Sequence, residues 1–224
     1  MADLSPAQRG FVELLIDRQA LRFGDFTLKS GRKSPYFINT GCFNNGGDLA
    51  RLGSAYAATV RAHFGDAVAV VFGPAYKGIP LALATAQAYE QLVGRPVGWA
   101  FDRKEAKDHG DGGMFVGAAL TRDLPIVIVD DVITAGTALR ESLAKLAATG
   151  ARVLGAIVSV DRQEKGRGER SALRELCDES GIAVVPIVAI SDAVAHLVAA
   201  GRLPAVDAER VRAHLAVAGA ASSP

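Results

Sequence analysis

Apolar positions recur at two spacings along the chain and divide it into elements. Phe11, Leu14 and Leu15 follow Ser5-Pro6 at helical spacing. Ser5 suits an N-cap and Pro6 the first turn, so a helix is predicted over residues 6–20. "FTLKSGRKSPYFIN", residues 26–39, reads as two short strands around a Ser-Gly turn. Leu49, Leu52, Tyr56 and Val60 share one face of a second helix over 48–65. Beyond it, unbroken apolar runs of strand length alternate with helical patterns. Strands are predicted at 67–74, 96–101, 125–132, 152–161 and 182–190, and helices at 78–92, 136–150 and 169–181. A last amphipathic helix is predicted over 205–220.

This alternation, from 67 to 190, is the pattern of parallel strands joined by helical crossovers. The predicted fold is α/β, an open, mostly parallel, doubly wound sheet. The N-terminal third does not follow the rhythm and is expected to form a hood. The predicted division is a hood over 1–45, a core over 46–200, and a C-terminal helix and tail over 201–224. The length of 224 residues fits one large domain, and the apolar half of the residues suffices for its core. A net charge of +1 gives no field suited to nucleic acid. Cys42 and Cys177 lie far apart and suggest a reducing compartment. No apolar run approaches the ~18 residues of a membrane span, and the first residues lack a signal-peptide pattern. A cytoplasmic location is expected, with no membrane and no nucleic-acid partner.

The strongest strand pattern ends on two acids. In "VIVDDVITAGTALRE", Asp130 and Asp131 close an apolar run, and small and hydroxylated residues lead into a helix. Ligands of open parallel sheets sit beyond the carboxyl ends of the strands. The turn "TAGTA", 134–138, offers backbone N–H groups, two hydroxyls and a helix N-terminus to a phosphate. Carboxylates beside a phosphate would repel it. A ribose phosphate removes the conflict, because the carboxylates can take the hydroxyls while the turn takes the phosphate. A P-loop is excluded, since no G-x-x-x-x-G-K-[ST] occurs, and no G-x-G-x-x-G follows a strand. For a bare Asp-Asp pair, an ordinary strand-to-helix turn is the competing reading.

Other stretches concentrate charge. "FDRKEAKDHGDGG", 101–113, holds Arg103, Lys104, Lys107 and His109, then Gly110, Gly112 and Gly113, and reads as a cationic lid loop. "GPAYKG", 73–78, places Lys77 at a strand end. "LKSGRKSPYFIN", 28–39, places Lys29, Arg32 and Lys33 before an aromatic pair. Arg162 follows a further strand end, and its guanidinium fork suits a carboxylate. Each has a plainer reading taken alone: solvated loops, a strand-ending turn, and core packing for Tyr36 or Phe37.

"VIVDDVITAGTA" resembles the signature of the type I phosphoribosyltransferases. "FTLKSGRKSPYFIN", "FGPAYKGIP", "FDRKEAKDHGDGG" and "DRQEKGRGE" resemble segments of the orotate phosphoribosyltransferases within that family, over about residues 6–196. The resemblance implies transfer of ribose 5-phosphate from 5-phosphoribosyl 1-pyrophosphate (PRPP) to orotate. The products are orotidine 5′-monophosphate and pyrophosphate, in a Mg²⁺-dependent step of pyrimidine (UMP) synthesis. It implies a homodimer with shared sites. On the PRPP side it implies Lys29, Tyr76, Lys77, Arg103, Lys104, Lys107 and His109. The run Asp130, Asp131, Val132, Ile133, Thr134, Ala135, Gly136, Thr137 and Ala138 completes that side. Orotate is implied to meet Phe37, Ile38, Thr134 and Arg162. Asp130, Asp131, Lys77, Lys107 and Arg103 are the implied catalytic groups. Mg²⁺ is expected to be held mainly by substrate and water, near Asp130 and Asp131. Ile38 departs from the family, where a second phenylalanine is often found. Two other readings stay open: transfer to another base, and a regulator that binds ribose phosphates without catalysis.

Overall fold

The structure, a computed structural model, describes residues 3–28, 31–107, 113–132, 136–166 and 168–220. Its first part comprises α1 (Pro6–Asp17), β1 (Leu21–Thr27), β2 (Lys33–Ile38), one 3₁₀ turn (Thr40–Cys42) and α2 (Gly46–Phe64). Then come β3 (Val70–Gly73), α3 (Gly78–Val93), β4 (Gly98–Lys107), β5 (Gly113–Gly117) and β6 (Pro125–Asp130). The chain continues through α4 (Thr137–Ala147), β7 (Arg152–Asp161), α5 (Ala172–Ser180), β8 (Ala183–Ala189), α6 (Ile190–Ala199) and α7 (Ala205–Ala218). Ser5 caps α1 in a capping box with Gln8, and Pro6 occupies the first turn, as the sequence predicts.

The main sheet runs β5-β4-β3-β6-β7-β8. All its neighbours pair in parallel except β4 and β5, which are antiparallel. The expected open, mostly parallel sheet is therefore present. Its strands are apolar on both faces because each face carries helices. Val70, Phe72, Ile126 and Ile128 point into one core with Leu139 and Leu146 of α4. Their neighbours Val71, Val127 and Val129 point into the other, with α1, α2, α3 and α6. β1 and β2 form a separate antiparallel pair. Tyr36 from β2 and Phe11 from α1 share the second core, so the hood is packed onto the sheet rather than tethered to it.

Several elements differ from the sequence expectation, among them β5, which the pattern did not predict. The charged stretch read as a lid loop is largely strand: β4 runs on to Lys107 and pairs back with β5. Pairing with β5 orders the two ends of the stretch, while Lys104 and Glu105 stay exposed and Asp102 turns inward. β1 starts at Leu21, earlier than the pattern suggested. α6 follows β8 with no intervening turn and was not foreseen.

The connectivity fixes where a ligand can go. β3 is flanked by β4 on one side and β6 on the other, so the crossovers leave β3 and β6 in opposite directions. Their carboxyl ends form the crevice of a doubly wound sheet. The turn after β3 is tight: a Cβ at Gly73 would collide with the carbonyl of Gly78.

Candidate active site

A cavity of about 770 Å³ opens beyond the carboxyl ends of β6 and β7, roofed by the hood. Phe37 and Ile38 line it from β2, Lys77 from the turn after β3, Asp131 and Val132 from the end of β6, and Arg162 from the end of β7. Two smaller cavities, about 490 and 500 Å³, lie away from these strand ends, between α4 and α5 and between the hood and α7.

Asp131 faces the cleft and is anchored on both its side chain and its backbone. Its Oδ2 accepts from Thr40 Oγ1 at 3.0 Å and lies 2.6 Å from Lys77 Nζ. Its backbone carbonyl accepts from the N–H and hydroxyl of Ser159 at 2.7 and 2.6 Å, which ties the strand end to β7. Asp130 turns back: its Oδ1 accepts from the Asp131 N–H at 2.8 Å. Burial pushes the Asp130 carboxyl up to about 6, and the Asp131 charge adds to the rise. Two carboxylates one residue apart therefore differ in environment. Downstream, the N-cap of α4 is Gly136 at φ 69°, which has no side chain to cap the helix. Thr137 and Ala138, which open the helix, are exposed.

The opposite wall is built around Arg162. Its guanidinium lies over the Tyr36 ring, 4.7 Å from the centroid, and Nη2 donates to Glu164 Oε1 at 2.6 Å. The buried Tyr36 hydroxyl donates to the same oxygen at 2.8 Å. Burial alone would raise the Glu164 carboxyl. The Arg162 charge and hydrogen bonds from Arg162, Tyr36 and His214 outweigh it and hold Glu164 below its ordinary value. Burial raises the phenol of Tyr36.

Tyr76, Arg103 and Lys104 do not line the cavity but stand beside its β3 end. Tyr76 is 67 % exposed, with Lys104 Nζ 4.7 Å from its ring centroid. Behind them the buried Asp102 accepts from the Ala75 N–H at 3.0 Å and pairs with Lys145 of α4. It couples the turn after β3 to α4, the helix that follows Gly136.

Residues 43–187 match the model of the phosphoribosyl transferase domain. An orotate phosphoribosyltransferase of Vibrio vulnificus is 52% identical over 209 residues, covering 92% of this chain and 97% of the relative. The crystal structure of an orotate phosphoribosyltransferase from Francisella tularensis superposes with a TM-score of 0.82 at 36% identity, covering 94% of this chain and 99% of that one. The chain belongs to the orotate phosphoribosyltransferases. A Mycobacterium tuberculosis orotate phosphoribosyltransferase in complex with PRPP shares the fold, at a TM-score of 0.62 and 21% identity, covering 84% of this chain and 99% of that one.

Among the orotate phosphoribosyltransferase residues implied by sequence, Phe37, Ile38, Lys77, Asp131, Val132 and Arg162 meet in one cavity. Lys29, His109, Ile133, Thr134 and Ala135 lie outside the described residues, and so does the side chain of Lys107, whose backbone closes β4. The cavity also contains Thr40, Asp161 and Glu164, which sequence reasoning did not single out. Glu164 sits within the quoted string "DRQEKGRGE", but its role depends on partners far away in sequence. Thr40 follows the aromatic stretch and gave no signal of its contact with Asp131.

Proposed function

We propose that this cleft joins N1 of orotate to the anomeric carbon of PRPP, giving orotidine 5′-monophosphate and releasing pyrophosphate. The observation that carries the proposal is the shared cavity. It sets Asp131, suited to ribose hydroxyls, opposite Arg162, suited to the orotate carboxylate. Phe37 and Ile38 cover the space between, where a flat ring fits. Thr137 and Ala138, at the start of α4, take the 5′-phosphate on their N–H groups. The bond to pyrophosphate breaks toward an oxocarbenium-like ribosyl centre, and no protein nucleophile is needed. Asp130 and Asp131 hold the hydroxyls and oppose the growing positive charge. Lys77, Arg103, Lys104 and Lys107 meet the leaving group.

Lys77 now rests on Asp131, where a ribose hydroxyl would bind. Lys77 is 65 % exposed, so the pair is weak and easily exchanged for substrate contacts. Bound Mg²⁺ would neutralise pyrophosphate charge. The two adjacent carboxylates fit a hard cation that keeps its waters and its substrate oxygens. The described residues contain no group of three or more potential ligands that would hold it alone.

The same reading takes residues 1–45 as the hood, 46–200 as the catalytic core and 201–224 as an accessory helix and tail. It places the enzyme in the cytoplasm. No helix among the described residues is long and apolar enough to cross a membrane. It also takes the chain as a homodimer with shared sites, supported by exposed Tyr76, Leu83 and Trp99 on and beside α3 and β4. Lys107→Ala and Asp131→Asn subunits, each strongly impaired alone, should regain activity when mixed. No recovery in verified heterodimers would place each site within one chain.

The primary test follows orotate absorbance with PRPP and Mg²⁺ present or omitted. Loss that requires both is the expected result. No loss in folded protein would favour another base or a non-catalytic role.

A further inference from the structure

We infer that the C-terminal helix α7 is a working part of the orotate subsite, because it holds Glu164 and Glu164 holds Arg162. The inference rests on the reading that Arg162 receives the orotate carboxylate. Glu164 is only 6 % exposed and is gripped from several elements. Its Oε1 meets Arg162 at 2.6 Å, the Tyr36 hydroxyl of β2 at 2.8 Å and His214 Nε2 of α7 at 3.4 Å. Its Oε2 lies 3.5 Å from Arg32 Nη2. An ionised carboxylate can only accept, so Nε2 carries the hydrogen in the His214 contact.

The backbone reinforces this grip on both sides of Glu164. The Lys165 N–H donates to the Ala218 carbonyl and the Ala220 N–H to the Gln163 carbonyl, each at 3.0 Å. The end of α7 therefore closes a short antiparallel bridge on the loop that leaves the β7 strand end. The His214 ring also packs edge-on against Tyr36, with centroids 6.1 Å apart. Arg162 is thus fixed on its face by Tyr36 and on one edge by Glu164. Both supports lean on α7. The Glu164 contact engages Nη2, and a guanidinium carries five N–H donors, so a planar anion can still be bound by others.

A helix that served stability alone would not separate the two substrates. Glu164→Gln keeps the size and loses the charge. It should raise the orotate KM about tenfold, as expected for one charged hydrogen bond, with the PRPP KM unchanged. His214→Ala should move the orotate KM in the same direction, and His214→Gln, which keeps a donor, should restore it. Melting curves establish folding for each variant; if Glu164→Gln does not fold, the His214 pair carries the test. An unchanged orotate KM in folded His214→Ala and Glu164→Gln, or an equal rise in both KM values, overturns the inference. Arg162→Ala separates the two levels. If it raises the orotate KM while Glu164→Gln does not, only the positioning role fails. If it leaves the orotate KM unchanged, the assignment of Arg162 fails instead.

Discussion

Asp131→Asn should lower kcat by roughly 10²- to 10³-fold, the usual loss for one transition-state charge contact, and leave the orotate KM nearly unchanged. The substitution is nearly isosteric. An amide oxygen can still accept from Thr40, now at 3.0 Å, and the backbone ties to Ser159 are untouched. The lost ion pair with Lys77 costs little, because that lysine is mostly solvated. On the proposed reading, what disappears is negative charge beside the ribose. That charge matters most when the anomeric carbon becomes cationic, so the loss falls on turnover rather than on ground-state binding. Steady-state kinetics with each substrate varied will separate the two. Unchanged turnover would remove Asp131 from the mechanism.

The sheet was legible because its central strands are buried on both faces and write themselves as continuous apolar runs. β7, Arg152–Asp161, matched its predicted run from end to end. The charged end of β4 was not legible, because its order comes from pairing. Asp102 and Lys107 find their partners in Phe115 and Gly113. Nothing local distinguishes an edge hairpin of Arg, Lys and Glu from a solvated loop. α6 was missed for a different reason. β8 runs into it at Ile190 without a turn residue, so the apolar pattern has no visible break.

The cavity shows the same division. Lys77, Asp131 and Arg162 stand at or just past strand ends, and a parallel sheet gathers such positions at one edge. The groups that fix them come from elsewhere in the chain. Thr40 reaches Asp131 across 91 positions, Tyr36 reaches Glu164 across 128, and His214 reaches Glu164 across 50. A pattern of local spacing carries no trace of these contacts. The helix over 205–220 was visible as a helix, but its footing on the loop of Glu164 required the fold.

Asp130→Asn should make the chain more stable and less active. Folding moves this carboxyl out of water, and burial raises it from its ordinary 3.8 to about 6, with the Asp131 charge adding to the rise. The folded chain keeps the proton up to about pH 6, whereas the unfolded chain releases it near 3.8. Stability therefore falls as pH rises through that window, by up to about 3 kcal/mol above it. Asparagine carries no charge to desolvate, and its oxygen can still accept from the Asp131 N–H, now at 2.8 Å. The Tyr56 hydroxyl donates to the backbone carbonyl of residue 130 and is indifferent to the change. Urea unfolding should then show the variant more stable than the parent at about pH 8, with the two converging near about pH 4. A gap that does not depend on pH would show that the buried charge is not its source. Activity should fall in the same variant if, as proposed, this carboxylate also opposes the positive charge that grows on the ribosyl centre. Opposite signs for stability and turnover in one substitution are the mark of a group placed for chemistry rather than for folding.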